Sequence, residues 1–227
     1  MRFGLSNYKI KAVMNIKVCG ITQLKQLQQL DKLNIEYAGF IFFKGSPRYV
    51  GDKISKEEIS SADFDIKKVG VFVNASFDEI METINDYALD MVQLHGDETQ
   101  YLCEQLSENV EVIKAFRLSD SNKSDIDTLI EEYDEVCDYY LFDTAAKSGL
   151  PGGSGEKFDW KQLSKSKIEK PFFLSGGIGL EDAEKIKKFK HPDFYGVDIN
   201  SKFEKEPGVK DLAMVMQFKM GLKKQGK

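Results

Sequence analysis

FFLSGGIGLEDAEKIKKFKHPDFYGVDINS, residues 172–201, places two short runs rich in aromatic and β-branched residues, Phe172–Ser175 and Phe194–Asp198, on either side of a helical pattern. Strand, glycine-rich turn, helix and strand in that order make a βαβ unit, whose strands run parallel with a right-handed crossover. Working outward, the same alternation recurs, with strands expected at Ile16–Cys19, Tyr37–Phe42, Lys68–Val73, Met91–His95, Val112–Arg117 and Tyr139–Thr144. Eight such units in 227 residues close into a single-domain α/β fold, the (β/α)8 TIM barrel, with little chain to spare. An open doubly wound sheet is the second architecture that fits.

Helix signals fall between the strands. Ser55 with Glu58 and Ser76 with Glu79 have capping-box spacing, and Asp97 with Gln100 is a looser version. Leu24, Leu27, Leu30 and Leu33 form the apolar stripe of the first helix, and Val209, Leu212, Val215, Met216 and Phe218 that of the last. The expected organisation is an N-terminal surface extension at 1–15, the barrel at 16–222 and a basic tail at 223–227. The linker Lys147–Asp159 is too glycine-rich to be a buried helix.

Hydrophobic residues make up 41% of the chain and charged residues 30%, as in ordinary globular proteins. A net charge of −5 and a pI near 5.3 provide no basic field for a nucleic acid or an acidic membrane, so anion binding must be local. No apolar stretch approaches the roughly 20 residues of a membrane span. Three cysteines, Cys19, Cys103 and Cys137, have no metal-ligand spacing and their odd number argues against a disulfide framework. A cytoplasmic protein is expected, with a small-molecule partner and neither nucleic acid nor membrane. Cys103 and Cys137 are expected to be packing residues, and Trp160 a packing anchor.

Active sites of such barrels lie at the C-terminal ends of the strands. Cys19 ends the first strand, His95 the fourth, Asp143 and Thr144 the sixth, and Asp198 the eighth. Glycine turns suited to a phosphate follow two adjacent strands: Gly153, Ser154 and Gly155 after the sixth, Gly176 and Gly177 after the seventh. Either cluster alone is a tight turn; together they favour a phosphorylated ligand.

KVCGIT at 17–22, SPRYV at 46–50, VQLHGDE at 92–98, LFDT at 141–144, GGSGEKFDW at 152–160, FLSGGI at 173–178, GVDINS at 196–201 and PGVKD at 207–211 occur in order. In this combination the chain resembles phosphoribosylanthranilate isomerase over nearly everything after residue 15. The resemblance implies an Amadori rearrangement of a phosphoribosyl substrate, N-(5-phosphoribosyl)anthranilate, in tryptophan biosynthesis. It implies Cys19 as the general base at ribose C2, Asp143 as the general acid at the ring oxygen, and Arg48 as the bidentate partner of the anthranilate carboxylate. No cofactor or metal is implied, since proton transfer through an enolamine leaves no persistent charge for a cation to hold. His95 is read as a mouth residue outside the catalytic pair, either structural or in contact with substrate, and Asp198 either orients the substrate amine or holds loop N–H groups.

The sequence departs from the family after the eighth strand, where two serines and a glycine are usual and Asn200, Ser201 and Lys202 stand here. Asn200 and Ser201 are expected to donate to the phosphate. A histidine-pathway isomerase is disfavoured by a cysteine where two aspartates are expected, and a metal-dependent epimerase by the presence of only His95 and His191. A non-catalytic phosphosugar-binding barrel is the alternative from another class. Monomer and homodimer both remain open.

Overall fold

Strands β1 (Asn15–Cys19), β2 (Tyr37–Ile41), β3 (Lys67–Phe72), β4 (Met91–Leu94), β5 (Glu111–Leu118), β6 (Tyr139–Thr144), β7 (Phe172–Leu174) and β8 (Phe194–Ile199) hydrogen-bond in chain order. β8 closes on β1 with Lys17 opposite Asp198, so the sheet is a closed parallel barrel and the open sheet is excluded. The computed structural model describes residues 14–118, 126–144 and 158–223.

Helices α1 (Leu24–Lys32), α2 (Lys56–Ser60), α3 (Phe77–Tyr87), α4 (Gln100–Ser107), α5 (Ile126–Glu131), α6 (Ala183–Lys188) and α7 (Leu212–Leu222) surround the strands. Both expected capping boxes form: the Ser55 and Ser76 hydroxyls accept from the N–H groups of Glu58 and Glu79, whose carboxylates return the bond. The third does not. Thr99 caps α4 by accepting from Leu102 N–H, while the Asp97 carboxylate pairs with Arg117. Among the described residues of the sixth unit the helical element is a 3-10 helix, Trp160–Lys165, and Trp160 is buried there beneath Lys185.

The last helix differs from its expected stripe. Val209 belongs to a small antiparallel hairpin, β9 (Glu204–Glu206) and β10 (Val209–Lys210), and Met216 is 47% exposed. Val215 and Phe218 carry the buried face of α7, as Leu27 and Leu30 do for α1. The hairpin is docked on the loop after β1, where Thr22 Oγ1 donates to Gly208 O at 2.6 Å. Cys103 and Cys137 are buried free thiols. No helix among the described residues is long and apolar enough to cross a membrane.

Candidate active site

Side-chain alternation decides what reaches the mouth of a barrel. In β6, Tyr139 and Leu141 join the interior cluster and Tyr140 and Phe142 face the helices, so Asp143 points inward. In β4 the same parity, Met91 inside with Val92 and Leu94 outside, puts Gln93 and His95 on the inner face. Outward Ile16 and Val18 leave Lys17 and Cys19 inside β1. The β7–β8 register skips Tyr195, Phe172 opposing Phe194 and Phe173 opposing Gly196, and this irregularity resets the parity so that Val197 and Ile199 face out and Asp198 faces in.

One cavity of about 360 Å³ at this mouth is lined by Cys19, Arg48, His95, Asp143 and Asp198. Gly176, Gly177, Asn200 and Ser201 complete its wall, so every expected site residue within the described chain faces one space. Gly153, Ser154 and Gly155 lie outside the described residues.

Lys17 is the group the sequence reading missed. It is fully buried and its Nζ lies 3.0 Å from Asp198 Oδ1. Among the described residues Asp198 is therefore held by a lysine. A Cβ placed on Gly39, across the β1–β2 pairing, would sit 2.9 Å from Cys19 Sγ and 3.1 Å from Lys17 Nζ, so the thiol and the ammonium share the gap that this glycine leaves. Burial pushes the Cys19 thiol above its usual range, Lys17 and Lys210 pull against it, and Asp198 adds to the rise. Burial also works against the charge on Lys17, but Asp198 and the Cys19 sulfur outweigh it and hold the ammonium above an ordinary lysine. Asp198 is itself pushed up by burial against the pull of Lys17. The two shifts favour opposite states of the pair; at 3.0 Å, with neither group exposed, the ionised pair is the state that satisfies both.

Across the cavity, Asp143 Oδ1 accepts from Thr144 N–H at 2.8 Å, while Oδ2 lies 3.2 Å from His95 Nε2. His95 Nδ1 is 2.7 Å from Gln93 Nε2. Gln93 Oε1 and His95 Nε2 are buried and make no well-aligned hydrogen bond among the described residues.

Arg48 is not a surface ion pair. Its Nε contacts both oxygens of Glu204, at 2.9 and 3.0 Å, and its Nη2 meets Oε2 at 2.7 Å. Lys210 Nζ donates to the same carboxylate and to Asn200 Oδ1, the latter at 2.7 Å, which spends the amide oxygen of Asn200 and leaves its NH2 for a ligand. Burial opposes the Glu204 charge, but Arg48 and Lys210 hold its carboxyl below the usual range. Burial lowers Lys210 despite Glu204. Lys17 and Lys210 were within reach of the sequence, in KVCG and PGVKD; Glu204 lies in no motif.

After β7, Gly176 and Gly177 take φ of +88° and +62°, the left-handed region. A Cβ on Gly176 would collide with Thr144. The chain passes through a 3-10 turn, Leu180–Asp182, before α6, and Asp182 Oδ2 accepts from Gly179 N–H at 2.7 Å. The turn thus offers the N–H groups of Gly176 and Gly177, and the α-helix follows at Ala183. Lys202 sits in a 3-10 turn, Ser201–Phe203, and has no positive φ, so glycine's replacement there costs no backbone strain.

A cysteine, a histidine and two carboxylates on separate strand ends, an arginine and a glycine turn around one mouth define a (β/α)8-barrel enzyme for a small anionic substrate. The sequence profile of N-(5'phosphoribosyl)anthranilate (PRA) isomerase matches residues 16–220. An N-(5'-phosphoribosyl)anthranilate isomerase of Parabacteroides distasonis is 42% identical over 207 residues, covering 90% of this chain and 91% of that one. The phosphoribosylanthranilate isomerase of Thermotoga maritima superposes with a TM-score of 0.78 at 30% identity, over 93% of this chain and 99% of that one. A solved isomerase in complex with reduced 1-(o-carboxyphenylamino)-1-deoxyribulose 5-phosphate gives a TM-score of 0.76 at 29% identity, over 93% and 99% of the two chains. The chain belongs to the phosphoribosylanthranilate isomerase family, and its activity is the Amadori rearrangement of N-(5-phosphoribosyl)anthranilate, an aldose–ketose isomerisation in tryptophan biosynthesis.

Proposed function

We propose that Cys19 and Asp143 are the base and acid of this isomerisation. The observation that carries the reading is their placement on opposite sides of one cavity, at the ends of β1 and β6, with room between them for a sugar. Asp143 protonates the furanose ring oxygen as the C1–O bond breaks and the nitrogen lone pair forms the C1=N bond. The Cys19 thiolate then takes the C2 proton, and the C1=N electrons return to nitrogen as the C1=C2 bond forms. Loss of the enol proton from the C2 hydroxyl and gain of a proton at C1 complete the aminoketone.

An acid must hold its proton until it is used. It must also be aimed, and Asp143 is: its Oδ1 accepts from Thr144 N–H at 2.8 Å and its Oδ2 lies 3.2 Å from His95 Nε2. Arg48 takes the anthranilate carboxylate. The phosphate sits against Gly176, Gly177, Asn200 and Ser201.

Loss of anthranilate fluorescence in freshly generated substrate measures turnover. Cys19→Ala and Asp143→Asn are each expected to lower kcat by about 10²–10⁴-fold while still binding the reduced product analogue. A variant that retains wild-type kcat removes that residue from the pair.

A further inference from the structure

We propose that Glu204 is a positioning residue for substrate recognition, holding Arg48 by one edge so that its other edge is set for a carboxylate. The inference rests on the reading of Arg48 as the carboxylate partner. A guanidinium has five N–H bonds and two faces for bidentate pairing, the Nε–Nη2 side and the Nη1–Nη2 end. Glu204 occupies the first, with contacts of 2.9, 3.0 and 2.7 Å. No described residue accepts from Nη1 in any observed hydrogen bond, so the end of the fork stays available. Arg48 lines the cavity, and Glu204 stands behind it outside the lining, only 4% exposed at its side chain.

Glu204 is in turn fixed from two sides. Lys210 binds its carboxylate, and Gly208 N–H donates to Oε1 at 3.1 Å within the β9–β10 hairpin. That hairpin is tied by Thr22 to the loop following Cys19 and by Gln26 to α1 just beyond it, so the base and the carboxylate clamp share one support. A long arginine held in this way loses less freedom on binding than a free one, which strengthens recognition without touching the reacting atoms.

The opposite role is a competitor: a glutamate that must release Arg48 before substrate binds. The two differ in the sign of one measurement. The probes are reduced 1-(o-carboxyphenylamino)-1-deoxyribulose 5-phosphate and the same compound prepared from aniline, which lacks the carboxylate, assayed as inhibitors of the wild type, Glu204→Gln and Arg48→Lys. With Glu204 as a positioning residue, Glu204→Gln weakens the carboxylated probe about tenfold, leaves the aniline probe within about twofold, and raises KM for substrate by more than it lowers kcat. Tighter binding of the carboxylated probe, or equal weakening of both, overturns the proposal. If Arg48→Lys also fails to distinguish the probes, the carboxylate reading of Arg48 is what falls. Should Glu204→Gln not fold, Glu204→Asp, which keeps the charge but withdraws it by one methylene, is expected to show a smaller loss on the carboxylated probe alone; no loss there overturns the proposal equally.

Discussion

Replacing Lys17 by methionine removes the buried cation beneath Cys19 while keeping most of the side-chain volume. The Gly39 geometry, 2.9 Å to Sγ and 3.1 Å to Nζ, bounds the thiol–ammonium separation at about 6 Å, where a unit charge at an effective dielectric of ~20 is worth roughly 3 kcal/mol. Losing that cation therefore raises the thiol further. Because burial already keeps Cys19 protonated beyond its usual range, the thiolate fraction, and with it kcat/KM at neutral pH, is expected to fall by on the order of 100-fold. The lost activity should return as pH rises. Asp198 is left buried and unpaired by this change, at about 3–5 kcal/mol, so Lys17→Met/Asp198→Asn serves as the charge-neutral control and is expected to shift the thiol upward by less. The readouts are kcat/KM against pH and the rate of Cys19 alkylation by iodoacetamide over the same range, located by mass spectrometry. If both profiles of the single variant superimpose in shape on the wild type, Lys17 supports only the fold and the electrostatic account of Cys19 is wrong.

Gly176→Ala forces a side chain into the left-handed region at φ +88° and against Thr144, a cost of roughly 1–3 kcal/mol; a melting temperature lowered by several degrees together with weaker inhibition by inorganic phosphate is expected, and unchanged inhibition would remove that turn from the phosphate site. Alkaline stability follows the buried thiols, since burial raises Cys103 to about 11 and Cys137 to about 12 from 9.0, and Tyr140 is raised as well. The fold therefore retains protons that the unfolded chain releases, so this contribution is intact below pH 9.0 and is lost as pH climbs through 11 and 12. Urea midpoints followed upward from about pH 8 should decline less steeply in Cys137→Val, and an unaltered slope would show that this thiol does not titrate with unfolding.

The barrel was legible because its signals are local. Each strand is a short apolar run, and the observed ends lie within one or two residues of those expected, as at β4, where His95 falls just beyond Leu94. The β9–β10 hairpin was not legible, because EKEPGVK has no apolar run to mark a strand. Its support comes from Thr22, in the loop after β1, and Gln26, in α1, 186 and 184 residues away in sequence. Glu204 escaped for the same reason: its partner Arg48 is 156 residues distant, and a glutamate among charged neighbours reads as solvated surface. Lys17 is a different case. It stands two residues before Cys19 on the same face of a strand, and that parity alone places a lysine inside the barrel, where it requires an acidic partner.

The charges around Cys19 divide by what a ligand can reach. With the acid Asp143 set apart, Lys17, Arg48 and Lys210 against Asp198 and Glu204 leave one positive charge in excess before anything binds. A substrate carboxylate on Arg48 cancels that excess, and the phosphate adds further negative charge to the same cavity, so binding by itself opposes formation of a thiolate. Lys17 escapes this cancellation because it lies beneath Cys19 and outside the cavity lining, where no substrate group can pair with it. Arg48, facing the cavity, acts chiefly on affinity, and Lys17, sealed from it, on the reactivity of the base. Each role therefore requires the position its residue occupies, and exchanging the two cations between those positions would sacrifice both functions.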